Sequence, residues 1–172
     1  MKDHSFADVN VRVWRHDLRC RPGGVELLPP DWMRLLQRRG LQVGYTRLWD
    51  EGHNLVTASG LNLLRDWARG LANPLSHLAV GTDSTAVVSG DTELGTEVFR
   101  DIYTQVSLGT ASMVIRYYLG PNDANGSTLT EAGLLNAGSG GTLYARRILG
   151  SPIVKTIDVA ATLEWTLSWA AV

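Results

Sequence analysis

The sequence predicts a mainly β protein: an antiparallel β-sandwich with one main packed α-helix and an N-terminal arm. Three observations lead there. Leu163, Trp165, Leu167 and Trp169 alternate with Thr162, Glu164, Thr166 and Ser168, and a period of two marks a strand with one buried face. Between residues 78 and 169, further short apolar runs are separated by Gly-rich turns, the pattern of a sandwich or barrel. One stretch, Leu61 to Leu71, instead repeats its apolar residues every three or four positions, as an amphipathic helix does.

From the N-terminus, Val9, Val11 and Val13 alternate with Asn10, Arg12 and Trp14, so a strand is expected there. Arg21-Pro22-Gly23-Gly24 reads as a turn. After Pro29-Pro30, Asp31 suits an N-cap, Trp32, Leu35 and Leu36 share a face, and Gly40 suits a stop, giving a short helix. Leu41 to Trp49 is expected to be extended.

The stretch His53 to Gly70 holds the main helix. Thr57 or Ser59 can cap a helix that starts near Gly60 and ends at Gly70 or at Asn73-Pro74. Leu61, Leu64, Trp67, Ala68 and Leu71 form its apolar stripe, while Asn62, Arg65, Asp66 and Arg69 face away. Such a stripe packs on a core, so Leu64 and Trp67 are expected to be buried with Leu163, Trp165 and Leu167. Next come a short strand at Leu78 to Val80, a small-residue loop to Gly90, and strands at Asp101 to Leu108, Ser112 to Leu119 and Thr128 to Leu135. The stretch beginning at Thr142 and the alternating segment ending at Trp169 complete the set.

Composition narrows the function classes. A chain of 172 residues suits one domain, alone or with an appended arm. The single cysteine, Cys20, leaves no disulfide framework, and no Cys/His spacing suits zinc. No apolar run is long enough to cross a bilayer, and the polar start MKDHSFADVN lacks the apolar core of a secretory signal. The net charge of -1 is uneven: residues 1–50 carry nine Lys and Arg against six Asp and Glu, and residues 51–172 carry seven against eleven. The N-terminal excess rests on arginine, which suits protein interfaces and ion-pair networks. It is too small for a nucleic-acid footprint, so nucleic acid is not an expected partner.

No constellation for chemistry emerges. His4, His16, His53 and His77 have no partners at ligand or triad spacing. Asn122 to Gly126 is similar to part of a calcium loop but lacks the spaced acids and closing glutamate. The Gly-rich stretches lack the Lys-Ser/Thr of a phosphate cradle. Asp91, Glu93 and Glu97 form an acidic edge with nothing to fix an opposing carboxylate. The expectation is therefore a non-enzyme with no catalytic residues, no cofactor and no metal.

The order of segments resembles that of small structural proteins of tailed bacteriophage particles, of the tail-fibre-like, baseplate-associated or head-decorating kinds. The stretches that carry the resemblance are HNLVTASGLNLLRDW (53–67), SHLAVGTDSTAVVSGDTELGTEV (76–98), LTEAGLL (129–135), GTLYARRIL (141–149) and SPIVKTIDVAATLEWTLSW (151–169). It covers about residues 53–169, and residues 1–50 lie outside it. The resemblance implies a virion structural protein, made in the host cytoplasm, that oligomerises and docks on other virion proteins in the tail, baseplate or fibre region. The alternatives are a capsid decoration protein on the head shell and a receptor- or carbohydrate-binding tip, with no membrane and no small-molecule substrate as partner.

Two domain-level expectations follow. Residues 1–50 are an N-terminal docking arm, and residues 51–172 close the sandwich alone. The arm's candidate interface residues are Arg12, Trp14, Arg15, Trp32, Leu36, Arg38 and Arg39. The arginines would meet an acidic edge such as Asp91, Glu93 and Glu97 of a second copy, and the apolar residues would anchor the contact.

Overall fold

Ten strands and one helix make up residues 8–17 and 45–169, the part of the chain that the computed structural model describes. In chain order they are β1 (Asp8–Asp17), β2 (Tyr45–His53), β3 (Leu55–Val56), α1 (Ala58–Ala68), β4 (His77–Gly81), β5 (Glu97–Ile102), β6 (Gln105–Leu108), β7 (Ser112–Leu119), β8 (Thr128–Leu135), β9 (Leu143–Val154) and β10 (Val159–Ser168). The turn at Arg21 to Gly24, the helix expected from Asp31 to Gly40, and Cys20, Trp32, Leu36, Arg38 and Arg39 lie outside the described residues.

The strands form two five-stranded sheets, every pairing antiparallel. Sheet A runs β2-β1-β10-β7-β6, and sheet B runs β3-β9-β8-β4-β5. The two sheets pack as a β-sandwich around one core. Leu163, Trp165 and Leu167 of β10 enter that core, as the alternation demands. Their register partners on β1 are Val13, Val11 and Val9, which are buried with them. From sheet B, Leu78, Val80, Leu129, Leu134 and Tyr144 close the other side.

The register of β1 corrects the expected domain boundary. β1 lies between β2 and β10 and is an interior strand of sheet A. Its three valines are buried, none more than 3 % exposed. Residues 8–17 and 45–50 therefore belong to the sandwich and not to a separate arm. The period of two at Val9 to Val13 was legible; the pairing of that strand with β10, some 150 residues away in sequence, was not. The expected single strand from Asp101 to Leu108 is also corrected. The chain leaves sheet B at Ile102 and enters sheet A at Gln105. Thr104 turns the corner, with its N–H and hydroxyl both donating to the Arg116 carbonyl.

The helix begins where the sequence placed a cap. The Thr57 hydroxyl oxygen accepts the Gly60 N–H at 2.9 Å and donates to the Leu143 carbonyl at 2.6 Å. It thus satisfies an orphan helix donor and ties the helix to β9 in one group. Gly70, at φ +70°, ends the helix in the left-handed region that glycine favours. Gly60 seats α1 on β9: a Cβ there would overlap the Tyr144 carbonyl. Because the helix touches the sheet through Gly60 and Leu63, its apolar stripe is turned aside. Leu63 is buried, Leu64 is only half-buried, and Trp67 is 52 % exposed. This corrects the expectation for Trp67, which is not core, whereas Leu64 packs against the margin of the core. The stripe is real, but the close approach at Gly60 sets which side meets the sheet.

The position of β1 makes a direct prediction. A chain truncated to start at Asp50 loses the strand that covers one edge of β10 and loses three buried valines. It should show no cooperative unfolding transition by circular dichroism, whereas the full chain should. A cooperative transition in the truncated chain would show that residues 8–17 are dispensable.

Candidate functional site

Glu131 of β8 is fully buried. Its carboxylate accepts the backbone N–H groups of Asp83, Gly95 and Thr96 at 2.8–3.2 Å and the Arg146 Nε–H at 2.8 Å. The same guanidinium reaches Asp91 at 2.9 Å and Asp83 at 2.8 Å. Burial pulls the Arg146 pKa down, but the bonds to Asp91, Glu131 and Asp83 outweigh it, so the net direction is up. The loop from Thr82 to Thr96 is thus folded onto sheet B by one arginine and one buried glutamate. Asp91 is spent there, and Glu97 pairs with Arg100. Two members of the expected acidic edge therefore serve their own chain.

The expected interface residues within the described part have partners at home as well. The Arg12 Nε–H donates to Glu51 at 2.7 Å. Arg15 and Arg47 lie over the Trp49 ring, 4.6 and 4.2 Å from its centroid. The indole N–H of Trp49 donates to the Ser151 carbonyl at 2.9 Å. Trp14 is half-buried. The arginines of β1 therefore close an ion pair and a cation–π stack along the β1–β2 edge.

The polar turn at Asn122 to Gly126 explains its own likeness to a calcium loop. The buried Lys155 ammonium donates to the Pro121 carbonyl at 3.2 Å, to Asn125 Oδ1 at 3.0 Å and to the Thr156 carbonyl at 3.1 Å. A side-chain ammonium thus holds one oxygen of this stretch, that of Asn125, together with the flanking Pro121 and Thr156 carbonyls. Burial pulls the Lys155 pKa down to about 8, and the charge of Asp123 opposes that shift.

A concave feature of different character lies at the mouth between the two sheets beside α1. It is a cavity of about 430 Å³ lined by Val56, Leu61, Leu64, Trp67, Ala68, Leu108, Met113, Tyr144, Leu167 and Trp169. Its floor is core, because Leu167 and Tyr144 are buried. Its walls stand in solvent: Leu61 is 57 %, Leu108 80 % and Trp169 47 % exposed. No charged side chain lines it. The Tyr144 hydroxyl is buried without a hydrogen-bond partner, and burial lifts its pKa to about 12. Sequence reasoning missed this mouth because it packed the helix stripe, Trp67 included, onto the core. The signal was present in a surplus: more apolar positions face this end than the sandwich can cover. Volumes of this size are typical of binding sites, and large exposed apolar patches mark contact surfaces.

Comparison with protein-family models, with curated proteins and with solved structures gives no match. Among the described residues, no helix is long and apolar enough to cross a membrane.

Two predictions belong to these groups. Replacing Glu131 with alanine leaves Arg146 buried beside three N–H groups that have lost their acceptor. Arg146 keeps Asp83 and Asp91 as partners, but each donor left without an acceptor costs about 1–3 kcal/mol, so Glu131→Ala should lose about 3 kcal/mol or more in urea unfolding. In the same variant, amides 83–96 should exchange faster than those of β10; equal exchange would show that the pair does not hold the loop. The second prediction concerns His16, whose Nε2 lies 2.8 Å from Thr162 Oγ1 and whose pKa burial lowers to about 4. Above the usual imidazole value both folded and unfolded states are neutral there, and the contribution is fully present. As pH falls towards 4, only the unfolded state gains the proton, so stability drops by about 3 kcal/mol. His16→Gln should flatten the fall in urea midpoint between pH 6.5 and 4; an unchanged slope would show that His16 is not its cause.

Proposed function

We propose that this chain is a non-enzymatic structural subunit of a tailed-bacteriophage particle. In this reading it oligomerises and docks on other virion proteins in the tail, baseplate or fibre region. The observation that carries the docking role is the solvent-open apolar mouth, where Leu61, Trp67, Leu108 and Trp169 stand around a floor of core residues. A lone chain in water gains nothing from leaving four large apolar side chains exposed in one place, whereas a subunit awaiting a partner gains its binding energy from them. The ionisable groups described above support the same reading. Glu131, Arg146 and Lys155 each bond inward to their own backbone or to one another. That use of charge serves a rigid scaffold. The virion assignment rests on the resemblance carried by the segments between His53 and Trp169, and the resemblance favours the tail end of the particle.

Immunogold labelling of intact particles with antibody to the purified chain tests this. Label at the tail, baseplate or fibres is the expected result. Label over the head shell would replace the tail assignment with a decoration role, and absence from washed particles would overturn the virion reading.

A further inference from the structure

We propose that the apolar mouth is an interface between two copies of this chain, packed mouth to mouth about a two-fold axis with the β6 edges side by side. The inference rests on the assembling role above and names the surface that performs it.

Continuity is the first argument. Leu61 and Trp67 rise from α1, Leu108 from the end of β6, and Trp169 from just beyond β10. These elements come from three separate parts of the chain, yet their exposed side chains line one cavity. Leu71, 66 % exposed, continues the helix stripe beyond it.

Area is the second. Each half-exposed tryptophan offers roughly 100 Å², given full burials of about 150–250 Å² for aromatic residues. Leu61 and Leu108 add roughly the same each, judged from the transfer energy of a buried leucine. Two mouths together then cover about 800 Å² of apolar surface, close to the apolar share of a standard interface of about 1,600 Å². A single inserted side chain or a small apolar ligand would leave the outer walls wet.

Self-complementarity is the third, and it selects a second copy over an unrelated partner. β6 is the terminal strand of sheet A. Its outer edge pairs with no strand among the described residues. A two-fold axis beside that edge sets Gln105–Leu108 antiparallel to its own copy, which satisfies open backbone groups and brings the two Leu108 side chains and the two mouths together. A two-fold contact uses the same patch on both chains, so the patch must not repel itself. No charged residue lines this one, and the nearby Arg65 is neutralised by Asp66 at 2.8 Å.

Sedimentation equilibrium of the full chain, with Leu108→Glu and Trp67→Glu, tests the proposal. Both side chains are more than half exposed, so both variants should keep the far-ultraviolet circular dichroism of the parent; if one does not, the other decides. The parent chain should sediment at twice its 18.8 kDa mass. In each variant the dimer should weaken at least tenfold. An oligomer that survives both substitutions unchanged overturns the mouth as the interface but leaves the assembling role standing. A parent chain that is monomeric at every concentration overturns both. A monomeric parent whose tryptophan fluorescence responds saturably to dodecanoate, with the response lost in Trp67→Glu, overturns the proposal in favour of a small apolar ligand.

Discussion

Two consecutive arginines on β9 hold the sandwich together from opposite faces. Arg146 points to the outer face of sheet B, where it binds Glu131, Asp83 and Asp91. Arg147 turns to the other side, donating to the carbonyls of Val11 and Gly52 and to Asp50 at 2.7 Å. One residue fixes the long loop; the next ties sheet B to the β1–β2 corner of sheet A. Burial lowers the Arg147 pKa, while Asp50 and Glu51 pull it back. The guanidinium fork suits this work because it spans several acceptors at fixed angles.

That arrangement depends on an irregularity beside Tyr144. The β8–β9 register shifts between Leu134 and Leu135, so β9 carries an extra residue there. Leu143 packs with Leu94 and Leu135 on the outer side, while both Tyr144 and Ala145 enter the main core. Without the shift, Arg146 and Arg147 would exchange faces. The same residue receives α1: the Tyr144 carbonyl meets the Thr57 N–H at 3.0 Å and leaves room for nothing larger than glycine at position 60. Loop, helix and inter-sheet tie are thus set by three neighbouring residues of one strand. The mouth beside α1 results directly, since the helix seated at Gly60 turns its stripe away from the sheet.

The rigid frame and the open mouth are complementary uses of one composition. Charged residues that could have served a surface are drawn inward to satisfy buried backbone groups, as buried charge requires. Apolar residues that could have stayed in the core are left at the mouth. An assembling subunit gains from both, because a preorganised apolar face loses little entropy on binding.

By itself the sequence determined the class of fold and most of the elements. The alternation of Leu163, Trp165 and Leu167 gave β10 its buried face, Ser112–Leu119 and Thr128–Leu135 were read at the bounds they have, and Thr57 was one of the two residues read as a cap. These features are local: period, cap and turn depend on residues a few positions apart. Only the tertiary structure decided that Val9 to Val13 forms an interior strand, that Ile102 and Gln105 belong to different sheets, and that Arg146 and Arg147 reach opposite ways. It also decided that Trp67 and Trp169 stand at a mouth. Strand order, a one-residue register shift and a helix-to-sheet contact through glycine join residues far apart in the chain, and no local period carries that information.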